Sequence, residues 1–222
     1  QNDVYLIKTD SSGNLEWDQT FGGSDNDWAN SVQQTSDGGY ILGGYTRSMG
    51  SVQNNIYLIK TDSSGIQEWI KTYNGEQAYS VQQTSDGGYI LGGYTSTKGN
   101  GQNDVYLIKT DSSGNLEWDQ TFGGSDNDWA NSVQQTSDGG YILGGYTRSM
   151  GSGQNDVYLI KTDSSGNLEW DQTFGGSDND WANSVQQTSD GSYILTGRTK
   201  SFGNGNFDIY LVKLDSEGNR IF

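Results

Sequence analysis

The apolar residues of this chain fall in short runs separated by clusters of Gly, Asp, Asn and Ser, and none carries the spacing of an amphipathic helix. Four kinds of run recur. Residues 28–35 are small and polar around Val32. Residues 39–46 run continuously through Tyr40, Ile41 and Leu42 into Gly43-Gly44-Tyr45. Residues 3–9 are continuous through Val4, Tyr5, Leu6 and Ile7. Residues 14–21 alternate, with Leu15 and Trp17 against Glu16 and Asp18. Each run predicts a β-strand; in this order we name them A, B, C and D. A continuous run predicts a strand covered on both faces, and an alternating one a strand with one face in water. Ser36-Asp37-Gly38-Gly39 joins A to B with an Asp-Gly hairpin signal, and Asp10-Ser11-Ser12-Gly13-Asn14 joins C to D.

The pattern repeats. Residues 1–51 are identical to 102–152, and 154–191 to 1–38. The phrase Tyr-Leu-Ile/Val-Lys returns at Tyr5, Tyr57, Tyr106, Tyr158 and Tyr210, at intervals of 52, 49, 52 and 52 residues. Periods near 50 fit the four-stranded blades of a β-propeller and exceed those of helical arrays. Polarity then predicts depth. The polar A strand suits the crowded, wet axis, B and C suit the middle of a blade, and the charged D strand suits the outer edge, where its acids discourage pairing with other chains. The second unit is the divergent one: Tyr73-Asn74-Gly75-Glu76 is shorter than Phe21-Gly22-Gly23-Ser24-Asp25-Asn26-Asp27.

Gly43-Gly44, a loop, Asn103-Asp104-Val105-Tyr106 and then Trp118 resemble a kelch repeat. The phrases at 21–27, Asp37-Gly38-Gly39-Tyr40-Ile41 and Gly44-Tyr45-Thr46 are similar to the β-propeller repeats of bacterial and archaeal surface proteins. The resemblance covers essentially the whole chain. It implies an all-β propeller of four-stranded antiparallel blades and a non-catalytic surface or interaction protein. Such a fold hosts many unrelated activities and names none.

The C–D hairpin occurs five times and the A–B hairpin four times, so a single domain over 1–222 divides into an orphan C–D hairpin at 1–27 and blades at 28–76, 77–128, 129–180 and 181–222. Phe222 stands where Trp170 stood one unit before. Three arrangements fit that count. The chain is part of a longer ring, or the orphan hairpin pairs with another chain, or four blades close and the hairpin packs outside. An unpaired strand edge is a template for a further strand, so the first two make itself or another propeller chain the expected partner. The opening at Gln1, without a leader, reads as a mature or excised piece of a longer product.

Composition removes whole classes of chemistry. With no Cys and no His there is no disulfide framework, thiol nucleophile, imidazole metal site or histidine base. A formal charge of −16 is repelled by nucleic acid and anionic bilayers, and no apolar run is long enough to enter a membrane as a helix. Seven Trp and 14 Tyr nonetheless argue for a packed fold rather than a solvated tail. No Asn-X-Ser/Thr acceptor occurs.

Two candidate sites lie in the D–A loops, which share one propeller face with the B–C loops. Asp25, Asp27, Asp126, Asp128, Asp178 and Asp180 supply oxygen ligands of the kind calcium takes, so Ca2+ is the one cofactor this pattern suggests; the alternative is a polar turn with capping aspartates. Trp28, Trp129 and Trp181 beside Asn26, Asn127 and Asn179 resemble a repeated sugar platform; the alternative is packing between blades. Gln77 would leave one such site empty. The paired acids of strand D recur in every unit, whereas a glycosidase needs one opposed pair across a cleft. The expectation is therefore no enzyme. It is a secreted or cell-surface scaffold for adhesion or self-assembly, with a glycan-binding propeller as the alternative.

Overall fold

The computed structural model of the protein describes residues 1–49 and 54–222, which form seventeen β-strands. A two-stranded hairpin, β1 (Val4–Thr9) and β2 (Leu15–Phe21), comes first. The first blade is β3 (Asp27–Gln34), β4 (Tyr40–Thr46), β5 (Asn55–Thr61) and β6 (Gln67–Asn74). The second is β7 (Gln77–Gln83), β8 (Tyr89–Thr95), β9 (Asp104–Thr110) and β10 (Leu116–Phe122). The third is β11 (Asp128–Gln135), β12 (Tyr141–Thr147), β13 (Asp156–Thr162) and β14 (Leu168–Phe174). The fourth has three strands, β15 (Asp180–Gln187), β16 (Tyr193–Thr199) and β17 (Asp208–Leu214), and begins its outer edge with a bridge from Leu214 to Arg220. Each sheet is an antiparallel meander in chain order, so the protein is an all-β propeller of A-B-C-D blades with an extra C–D hairpin.

Turn chemistry fixes the hairpins. In the first A–B turn the Asp37 carboxylate accepts from the Gly39 backbone at 2.9 Å and from the Thr35 hydroxyl at 2.5 Å, while Gly38 takes φ 87°. Strands A and B lie unusually close. A Cβ on Gly44 would sit 1.8 Å from the Trp28 carbonyl oxygen, which explains the glycine at that point of every blade. A bulge follows on strand A, between Ala29 and Ser31, and recurs in all four units.

Consecutive units stack face to face, and each interface is a separate hydrophobic core. Between hairpin and first blade lie Val4, Leu6 and Phe21 against Leu42, Tyr57 and Ile59. The next two interfaces are built alike, Ile56 and Leu58 meeting Val81, Leu91, Tyr106 and Ile108, then Val105 and Leu107 meeting Val133, Leu143, Tyr158 and Ile160. The last joins Val157 and Leu159 to Val185, Leu195, Tyr210 and Val212. The first and third apolar residues of a C strand face the following unit, and the second and fourth face the preceding one. The strand D tryptophans pack across interfaces, Trp17 on Tyr40, Trp69 on Tyr89, Trp118 on Tyr141 and Trp170 on Tyr193, each edge-on at 5.6–5.8 Å.

The four A strands converge on one cavity of about 420 Å³, lined by valines and glutamines. Their edges are joined by a polar ladder. Val81 donates its N–H to the Ser31 hydroxyl, Gln83 donates to the Gln33 side-chain oxygen, and Ser36 donates back to Gln83. The same three bonds recur at the next two blade interfaces.

Candidate functional site

The buried lysines of strand C are each held in a pair of ion pairs. Lys60, Lys109 and Lys161 end the apolar run of strand C and are buried, yet each Nζ meets two carboxylates. Lys60 lies 2.8 Å from both Asp37 and Glu68, Lys109 2.8 Å from Asp86 and Glu117, and Lys161 2.9 Å from Asp138 and 2.7 Å from Glu169. Each also donates to the carbonyl of the following threonine. Hydrogen bonds from Lys60, Thr35 and Gly39 hold the Asp37 carboxyl down at about 2. Burial pulls Asp86 and Asp138 upward, and the bonds from lysine, threonine and backbone outweigh it, leaving both at about 2. Burial likewise opposes charge on Lys60 and Lys161, and their carboxylates overcome it, raising both. The second acid of strand D is also engaged: Asp171 accepts from the Tyr158 hydroxyl at 2.9 Å, and Asp18 from Tyr5 at 2.7 Å.

The loop aspartates fall into two groups. Asp27, Asp128 and Asp180 are fully buried at the start of strand A. Asp128 accepts from the Gly124 backbone at 2.8 Å and the Ser149 hydroxyl at 2.7 Å, stapling the D–A loop to the B–C loop, and Asp27 and Asp180 do the same. Burial lifts the Asp104 carboxyl, which faces Asp128, above the usual range. Asp25, Asp126 and Asp178 sit nearer the surface; the Asp25 and Asp126 carboxylates accept from the next backbone N–H. Among the described residues no three such side chains converge as a cation site would require. Asn26 accepts from the Asn2 backbone, Asn127 from Asn103 and Asn179 from Asn155, so these amides tie the two loops together.

The aromatic residues do converge. At the loop end of the A and B strands they form a stacked pair in the first blade and a linked arc from the second blade to the fourth. Trp28 stacks on Tyr45 at 4.9 Å, Tyr79 on Tyr94 at 6.0 Å and Tyr94 on Trp129 at 4.9 Å. Trp129 then meets Tyr146 edge-on at 5.0 Å, and Tyr146 meets Trp181 at 6.1 Å. The three tryptophans are half-buried, so they both pack between blades and show part of their surface. Gln77 stands where the other units have tryptophan. Tyr79, in the bulge two residues on, brings a ring to the same end of the blade and stacks on Tyr94. The arc ends in a cation: the Arg198 guanidinium lies 4.3 Å over Trp181 and 5.1 Å from Phe207, and Lys200 lies 4.6 Å over Phe207.

Stacked four-stranded meanders with convergent inner strands define a β-propeller repeat protein. A family model described as a domain of unknown function, DUF5122 beta-propeller, matches residues 84–117, the second A–B turn through the start of β10. No curated protein matches the chain. Among solved structures it is similar to Sqt1 of Chaetomium thermophilum bound to the N-terminus of ribosomal protein L10, at 11% identity and a TM-score of 0.49, covering 98% of this chain and 67% of that one. A second crystal structure of Sqt1 from the same organism gives 10% identity and a TM-score of 0.47, covering 97% and 63%. The chain thus spans about two thirds of the length of those proteins.

Proposed function

We propose that this propeller is a non-catalytic interaction scaffold of the cell surface or exterior, and that its aromatic arc is the contact surface for a basic, extended segment of a partner protein. One observation carries the reading. Where the fourth unit departs from Tyr45, Tyr94 and Tyr146, it places Arg198 over the Trp181 ring, so the arc already accepts a guanidinium. Half-exposed rings attract cations through their π faces. The acidic loop residues Asp25, Asp126 and Asp178 and the charge of −16 would steer a basic segment toward them. Near-identical units would repeat the contact and multiply weak affinities. Against catalysis stands the use of Lys60, Lys109 and Lys161 and their paired acids in one structural role through the first three blades. The surface location rests on acidity, absence of cysteine and the repeat resemblance.

Tryptophan fluorescence tests this with two peptides of equal length, one rich in Arg and one in Glu. The Arg peptide is expected to shift the emission, with an affinity that falls as salt rises and a loss in Trp129→Ala. Equal silence toward both peptides removes the reading. Binding to a glycan array that is lost in Trp28→Ala and Trp181→Ala moves the assignment to a sugar-binding propeller.

A further inference from the structure

The two ends of the stack carry complementary halves of a blade interface. At each interior interface, residues such as Ile56 and Leu58 of one C strand bury against residues such as Tyr106 and Ile108 of the next. On the hairpin the counterparts of the second pair are Tyr5 and Ile7, and they are 57% and 50% exposed. On the fourth blade the counterparts of the first pair are Ile209 and Leu211, and they are 86% and 52% exposed. We propose that these two faces join copies of this chain head to tail, the β1–β2 hairpin of one copy seating on the β16–β17 face of another.

The fourth blade is altered in the way this occupant requires. In the interior, Gly43, Gly92 and Gly144 of strand B leave room for a valine from the next A strand; a Cβ on Gly92 would lie 3.1 Å from that of Val133. Thr196 stands in the fourth blade at that point, and Arg198 follows where a tyrosine stands elsewhere. Both polar substitutions fall where an A strand would lie, and the hairpin has no A strand. The apolar positions Ile209 and Leu211 are kept; their interior counterparts share a core that includes the following C strand. A complete blade would bring a valine against Thr196, whereas the hairpin brings only Tyr5 and Ile7. A heterologous contact of this kind adds copies in an open series or closes a ring. The residues that would make the contact, Tyr5, Ile7, Ile209 and Leu211, lie outside the aromatic arc, so its test is read separately from the peptide titration.

The test is a pair of variants at exposed positions, Ile7→Glu on the hairpin and Leu211→Glu on the fourth blade, each checked for unchanged circular dichroism and melting. By light scattering, the unaltered chain is expected to rise above its 24.2 kDa mass with concentration. Each variant alone is expected to stay at the monomer mass. Mixing them leaves one intact hairpin face and one intact blade face, so a species of twice the monomer mass is expected and nothing larger. Three results overturn the proposal: a monomer at every concentration, association that survives in either variant alone, or a mixture that stays monomeric. The first also covers closure of the hairpin on its own fourth blade.

Discussion

Tyr57 and Tyr158 hold the same place in the first and third blades, yet only one of their hydroxyls has a partner. Tyr158 donates to Asp171 at 2.9 Å. Tyr57 is buried and finds no acceptor among the described residues, because Ile70 stands where Asp171 stands. Burial, with Asp27 and Asp3 nearby, pushes its phenol up to about 12.

Removing these two hydroxyls should therefore change stability in opposite directions. Tyr57→Phe removes a buried group that has no bond to lose and should stabilise by about 1 kcal/mol. Tyr158→Phe breaks a hydrogen bond to a carboxylate and should destabilise by about 1–2 kcal/mol. Urea midpoints measured on both variants check the prediction; shifts of the same sign would contradict it.

Two glycines of the second blade separate backbone strain from close approach. Gly87 takes φ 85° with nothing within 4 Å of an added Cβ, and Gly87→Ala should cost about 1 kcal/mol through its conformation alone. A Cβ on Gly93 would lie 1.9 Å from the Gln77 carbonyl oxygen, which belongs to the backbone and cannot rotate away. Gly93→Ala should cost more than about 4 kcal/mol, in the range of the most disruptive substitutions. Comparison of their thermal melts decides the matter, and equal losses would refute the close-approach account.

Acid should loosen the blades over a defined window. Asp37, Asp86 and Asp138 sit at about 2, below their usual 3.8, so the unfolded chain binds protons first as pH falls. Their stabilisation is complete above about pH 4 and is lost as pH drops through about 2. Asp104, whose carboxyl is raised, acts in the opposite sense as it protonates. Lys109→Met should flatten the acid limb of the curve and cost about 2 kcal/mol at neutral pH, less than for a fully buried pair because Asp86 and Glu117 are half in water. Urea titrations between pH 2 and 7 read both effects, and an unchanged acid limb in that variant would count against the lysine knot.

What could be read from the sequence was what depends on period. The spacing of Tyr-Leu-Ile-Lys located the C strands, Asp-Gly located the hairpins, and strand polarity placed A at the axis and D at the rim. The roles that escaped depend on contacts between segments far apart in the chain. Lys60 meets Asp37 from a turn 23 residues earlier, and an unpaired lysine in an apolar run gives no hint of that carboxylate. A lysine followed eight residues later by glutamate, as in Lys60 and Glu68, was the available signal. Tyr79 was missed because an alternating pattern has no place for a bulge. The extra residue at that point re-aims its side chain, here toward Tyr94, and in the first blade it lets Asn30 donate to the Ala78 carbonyl of the next.

The lysine knot also bears on how such a chain can change length. Each of Lys60, Lys109 and Lys161 is neutralised by acids of its own blade, and the side chains that bridge the inner strands of neighbouring units are uncharged serines, glutamines and asparagines. Insertion or loss of one whole unit by recombination between near-identical stretches of gene therefore strands no buried ion. Copy number is free to drift without disturbing these ion pairs.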